Sequence, residues 1–124
     1  MNAEVHIGDK PLVLSRRSIP GCGAVAHFEG IVRGEEDGRQ IAGLEYEAYQ
    51  PMAEEVIRGI VEALGEHFPC EAVRVHHRIG FVPVGEAAII VDVHARHRGE
   101  AFALLTEFMN RLKQEVPIWK VGTR

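Results

Sequence analysis

The sequence predicts an α+β fold in which two helices cover a mixed or largely antiparallel sheet. Three observations carry this. Two stretches repeat apolar residues at helical spacing, several others alternate at strand spacing, and the order runs strands, helix, two strands, helix, strand. At 124 residues the chain fits one domain, residues 1–124, able to bury somewhat more than ~60% of its unfolded surface.

Taken in order, Ala3 to Ile7 alternates weakly and reads as a short strand, ended by Gly8-Asp9-Lys10-Pro11. Residues 12–20 are ambiguous. From Gly23 to Arg33, Ala24, Ala26, Phe28 and Val32 share a register, and Gly30 marks a bulge in that strand. Gly34 to Gln40 reads as a polar, glycine-containing loop, and Ile41 to Tyr49 as the next strand. Pro51 suits a first helical turn. After it Met52, Val56, Ile60 and Leu64 form a stripe widened by Ile57, Val61 and Phe68, with Glu54, Glu55, Arg58, Glu62 and Glu66 facing water. Glu71 to Ile79 alternates again, with Val73, Val75, His77 and Ile79 on one face, and Gly80 to Gly85 reads as a turn or short loop. Ala87 to Arg96 is the most apolar strand and is expected to be central. A second helix is expected from about Arg98 to Lys113, burying Phe102, Leu105, Met109 and Leu112. Pro117 stops it, and Val116 to Val121 returns as a final strand.

Composition excludes several function classes. A formal charge of −4 argues against a general nucleic-acid surface, so any anion must be held by a local basic pocket in an acidic body. The apolar run from Ala87 to Val91 is too short to span a bilayer, and the first ten residues lack the apolar core of a secretory signal. Cys22 and Cys70 match no metal or redox spacing. Free thiols in a cytoplasmic, reducing setting are the simplest reading, with a single disulfide as the alternative.

Several cations stand out by position. Arg33 ends a strand beside the polar loop, and His97-Arg98 sits where a strand gives way to a helix. An arginine at a helix N-terminus opposes the helix dipole. Backbone N–H groups there favour an anion that a guanidinium could clamp, although pairing with Glu100 would also explain it. Lys113 in a last helical turn is what the dipole prefers, and Lys120 beside Trp119 can lay its stem on the ring, so each lysine alone also has a structural explanation. Clustered, they would help one another lose a proton. Arg98 and Lys113 are 15 positions apart, roughly 22 Å along a helix, so a site using both must borrow one from a second subunit. No metal site is expected: His76 and His77 point to opposite faces of a strand, and nothing completes His94-x-x-His97. Tyr46 and Tyr49 read as sheet packing.

The segments Gly23-Ala-Val-Ala-His-Phe28-Glu-Gly30-Ile-Val-Arg33, Leu44-Glu-Tyr-Glu-Ala-Tyr49-Gln-Pro51-Met52, His77-Arg78-Ile79-Gly80, His97-Arg98 and Leu112-Lys113-x-x-x-Pro117-Ile-Trp119-Lys120 follow one another across residues 21–120. In that order and spacing the chain resembles the large, catalytic subunit of molybdopterin synthase, the MoaE family. The resemblance implies an α/β-hammerhead fold and a homodimeric core carrying a small ubiquitin-like subunit at each end, a heterotetramer. The small subunit's C-terminal Gly-Gly thiocarboxylate would donate sulfur to cyclic pyranopterin monophosphate, and two rounds would form the molybdopterin dithiolene. It further implies Lys113 and Lys120 as catalytic residues, with Arg33, His97 and Arg98 lining the substrate's anionic pocket, Phe28 and Met109 nearby, and no cofactor. Two departures are visible: Lys120 is followed only by Val121-Gly122-Thr123-Arg124, and Ala95-Arg96 stands where small residues are common. The first supports a rival reading, a non-catalytic member that docks the small subunit without turnover. A phosphate- or nucleotide-binding domain is disfavoured because no glycine-rich phosphate loop precedes either helix.

Overall fold

The computed structural model describes residues 1–124 and contains nine strands and two helices. The elements are β1 (Asn2–Gly8), β2 (Ala24–Ile31), β3 (Glu35–Glu36), β4 (Arg39–Gln40), β5 (Gly43–Ala48), α1 (Gln50–His67), β6 (Ala72–Arg78), β7 (Gly80–Pro83), β8 (Ala87–Ala95), α2 (Arg98–Glu115) and β9 (Ile118–Thr123). They form an α+β architecture with three sheets rather than one. A four-stranded sheet has the order β1-β6-β8-β2, parallel only between β1 and β6, and a three-stranded antiparallel sheet has the order β7-β5-β9. Strands β3 and β4 make a separate hairpin.

Strand β8 is central, as its unbroken apolar run requires, hydrogen-bonded to β6 on one side and β2 on the other. Its Val91 and Val93, with Val73 and Val75 of β6, face Ile57, Ile60 and Val61 of α1 and Leu104 and Phe108 of α2 in the main core. Burying a side chain of this size stabilises by about 1.5–3 kcal/mol relative to leaving it exposed, so this face carries most of the fold. A smaller core of Val32, Leu44, Val82 and Ala88 ties the three-stranded sheet to the end of β8.

Helix α1 buries most of its expected stripe, whereas α2 is turned relative to the one expected. In α1 the buried residues are Ala53, Ile57, Ile60, Val61 and Leu64, while Met52 is exposed. In α2 they are Ala101, Leu104 and Phe108, while Phe102 is 60% exposed and Leu105, Met109 and Leu112 are only partly covered. In each helix a small alanine, Ala53 or Ala101, joins the large side chains at the fully buried positions, and alanine adds little to a pattern read from large side chains.

Two expected loops are strands. Gly34 to Gln40 is the β3–β4 hairpin, turned by Asp37 and Gly38 at φ 50° and 78°, the pair of positive values that a tight two-residue hairpin turn needs. Gly80 to Pro83 is β7, whose proline is tolerated because the strand lies at a sheet edge. Its neighbour β5 begins at Gly43, where any Cβ would collide with the Val82 carbonyl oxygen and the Phe81 ring. The bulge expected at Gly30 lies between Gly30 and Ile31.

The face of the four-stranded sheet away from the helices is polar yet buried. Arg74 of β6 meets Asp92 of β8 through two hydrogen bonds of 3.0 and 2.6 Å, with side chains only 4% and 5% exposed. Arg74 also donates to the Ser15 carbonyl at 2.9 Å, and His94 bonds the Arg17 carbonyl at 3.2 Å. These bonds pin the non-regular segment between β1 and β2 over the sheet.

Candidate active site

Helix α2 runs unbroken from Arg98 to Glu115, and Val116-Pro117 turns the chain into β9. Strand β9 pairs with β5, placing Lys120 opposite Tyr46. The last turn of α2 and the start of β9 thereby fold onto the end of the main sheet. Between them lies a cavity of about 390 Å³ lined by Phe28 and Gly30 of β2, Tyr46, His77, Ile89, Met109, Leu112, Lys113, Val116, Ile118, Trp119 and Lys120. Its wall is mostly apolar, it has an amine on each flank, and no carboxylate lines it. Gly30 keeps the floor open, since a Cβ there would come within 2.8 Å of the Ile89 side chain and 3.5 Å of the Phe28 ring.

Four of the residues expected at the site, Lys113, Lys120, Phe28 and Met109, therefore meet in this one cavity. Lys113 is exposed and has no acidic partner, whereas Lys120 is held 3.3 Å from Glu36 of the hairpin. The other three lie elsewhere. Arg33 lines an open polar cleft of about 600 Å³ under the hairpin, beside Gly34, Glu35, Asp37, Gly38 and Gln40. His97 lines a third hollow with Pro69, Cys70, Glu71, Arg96 and Glu100. Arg98 is exposed at the far end of α2, a separation from Lys113 that the straight helix enforces. The Glu100 partner considered for Arg98 instead approaches His97, at 3.7 Å. Arg33, Arg98 and Lys113 thus stand without acidic partners in a chain that carries 18 acidic residues against 14 basic ones.

Two lining residues, Tyr46 and His77, stand within the resembling segments but were given no role at the site. Tyr46 lies edge-on to His77, ring centroids 5.5 Å apart at 72°. Burial raises the Tyr46 phenol pKa, which Glu36 reinforces and Lys120 opposes, so the hydroxyl stays a donor. His77 is 7% exposed, its Nδ1 is 2.8 Å from the Arg78 carbonyl oxygen, and burial lowers its pKa. A histidine on the same strand face as Val73 and Val75 was the available signal.

Both cysteines are free. Burial pushes the Cys70 thiol up to about 11, with Glu100 adding to the effect, and burial also raises Cys22. Neither lines the lysine cavity, so neither thiol is placed or ionised to act there. No three His, Cys, Asp or Glu side chains gather as a metal site would require. No helix is long and apolar enough to cross a membrane.

Fold and cavity together define a class: an α+β protein whose apolar, lysine-flanked cavity forms where a small sheet closes on a larger one. The family model described as MoaE protein matches residues 7–115. The chain is similar to the molybdopterin synthase catalytic subunit of Homo sapiens, 42% identical over 101 residues, 82% of this chain and 54% of that one. It is also similar to the molybdopterin synthase catalytic subunit of Thermoplasma volcanium, 34% identical over 124 residues that cover 97% and 90% of the two chains. Among solved structures, the molybdopterin synthase from Staphylococcus aureus superposes with a TM-score of 0.88 at 31% identity, over 96% of this chain and 93% of that one. The chain belongs to the MoaE protein family. It spans about half the length of the mammalian relatives it matches, and Lys120 lies beyond the residues the family model covers.

Proposed function

We propose that this chain is the catalytic subunit of a molybdopterin synthase, acting in the cytoplasm and moving sulfur from the C-terminal thiocarboxylate of a small ubiquitin-like subunit to cyclic pyranopterin monophosphate. The observation that carries this reading is the convergence of Lys113 and Lys120 on one apolar cavity that no carboxylate lines. An extended Gly-Gly tail has no side chains to clash with the cavity wall. Its anionic end would find two ammonium groups beside a mostly apolar wall with no lining carboxylate to compete for them. In this reading Lys113 meets the tail and Lys120 stabilises charge on the pterin, exchanging its Glu36 partner for the substrate. Phe28 and Met109 pack against the substrate. Arg33 and the His97-Arg98 pair hold the cyclic phosphate.

The length of α2 supports one further part of the reading. Arg98 cannot reach the Lys113 end of its own helix, so the anion pocket is completed by His97 and Arg98 of a second copy in a homodimer. The test is sulfur incorporation from the thiocarboxylated small subunit into the pyranopterin. Wild-type chain is expected to turn over. Arg98→Ala and Lys113→Ala homodimers are each expected to lose most of their activity, and mixing the two should restore part of it by assembling one intact site per mixed dimer. Absence of transfer by the wild-type chain contradicts the function. Transfer without recovery in the mixture contradicts the shared site alone.

A further inference from the structure

The cavity between Lys113 and Lys120 holds three kinds of ionisable group: two amines, the Tyr46 phenol and the His77 imidazole. Amines and phenols ordinarily titrate near about 10 and imidazole near about 6.5. Imidazole is therefore the group in this set suited to accept a proton at neutral pH. Glu36, which reaches Lys120 from the hairpin, is not among the lining residues.

The ring of His77 is set up for that role. Nδ1 lies 2.8 Å from the Arg78 carbonyl oxygen, which can only accept, so Nδ1 carries the proton and Nε2 keeps its lone pair. The side chain sits in register with Val73 and Val75 on the helix-facing side of β6, the side on which the cavity opens. Tyr46 braces its edge.

We propose that His77 is the proton acceptor of this cavity, its Nε2 taking a proton from the water that cleaves the acyl–sulfur bond during sulfur transfer. This rests on the sulfur-transfer reading above. Once the thiocarboxylate sulfur has bonded to a pterin carbon, the tail's acyl carbon is joined to the pterin through that sulfur. The water oxygen then bonds to the acyl carbon, and the acyl carbon–sulfur bond breaks with its electron pair left on sulfur. The tail departs as a carboxylate and the sulfur stays on the pterin as a thiolate. One water proton goes to His77 Nε2, the second is lost to solvent as the new carboxyl group ionises, and nothing is oxidised or reduced.

The groups facing His77 suit a neutral base. Lys113 comes from α2, Lys120 from β9 and Tyr46 from β5, while β2 and β8 contribute only Phe28, Gly30 and Ile89. Burial disfavours the charged imidazolium, with the Arg78 carbonyl opposing it. The unprotonated form should therefore persist below the ordinary imidazole pKa. Activity should fall only as the solution is made more acidic than about 6.5.

The experiment compares wild type with His77→Asn, whose amide nitrogen can keep the bond to the Arg78 carbonyl while Nε2 is removed. His77→Gln serves as a second variant, and thermal unfolding identifies which variants are folded. In single turnovers with thiocarboxylated small subunit and pyranopterin, folded variants are expected to be roughly 10²-fold slower or more. They should also lose the acid limb of the pH profile and accumulate a small subunit–pterin thioester detectable by mass spectrometry. A folded variant that keeps the wild-type rate and acid limb, with no adduct, overturns the role of His77 while leaving the transfer reading intact. Failure of wild type to incorporate any sulfur overturns the transfer reading itself, and the proposal with it.

Discussion

Lys113→Ala is expected to lower single-turnover sulfur transfer by roughly 10²–10³-fold, the loss typical of removing one preorganised group that stabilises charge in a reaction. Stability should hardly change. Lys113 is exposed, makes no ion pair, and ends a helix whose anchoring residues are Ala101, Leu104 and Phe108. Substitutions at such positions usually stay within about 0.5 kcal/mol. Lys113→Arg separates charge from chemistry, because guanidinium keeps the positive charge but cannot act as a neutral amine. Partial activity in Lys113→Arg would assign the lysine to binding the tail's anion, and inactivity would assign it to a step needing the amine itself. Full single-turnover transfer by Lys113→Ala would contradict its place in the reaction.

Asp92→Ala is expected to have the largest effect on stability. The Arg74–Asp92 pair is buried on the outer face of the sheet, and removing the carboxylate leaves a guanidinium there with only the Ser15 carbonyl as partner. Breaking a buried pair from one side costs about 3–5 kcal/mol, a large part of the roughly 5–15 kcal/mol that holds a typical domain together. Urea unfolding of Asp92→Ala against wild type measures it. Replacing both partners, as in Arg74→Met with Asp92→Leu, should cost clearly less than Asp92→Ala alone, since no charge is then stranded. A loss below about 1 kcal/mol for Asp92→Ala would show that water reaches the site and that the pair does not anchor the covering segment.

The elements that could be read from sequence were those whose signal lies in large side chains. The length of α1, the central position of β8 and the turn at Pro117 follow directly from apolar runs and proline. The face of α1 was largely legible, with Ile57, Ile60, Val61 and Leu64 buried as expected, whereas α2 turns Leu104 and Phe108 inward and leaves Phe102 outside. Strand β7 was hidden by the glycine and proline at its ends. The β3–β4 hairpin had a visible cue in Asp37-Gly38 that its polar surroundings obscured. For the site, Lys113 and Lys120 were linked by the resemblance, since each alone also fits a helix end or a stem packed on Trp119. His77 was not, since it joins them only through the packing of the small sheet against the end of the main one. Arg33, His97 and Arg98 stood out by position and took their pocket role from the resemblance, and they do not reach the lysine cavity within one chain.

A structure of the chain bound to the small subunit tests the central claim most directly, because it locates the end of the tail. The expected result is an extended Gly-Gly terminus in the cavity bounded by Phe28, Met109, Trp119 and the two lysines, its terminal group within hydrogen-bonding reach of Lys113, about 3 Å. A tail whose last glycine lies away from both Lys113 and Lys120 would contradict the claim.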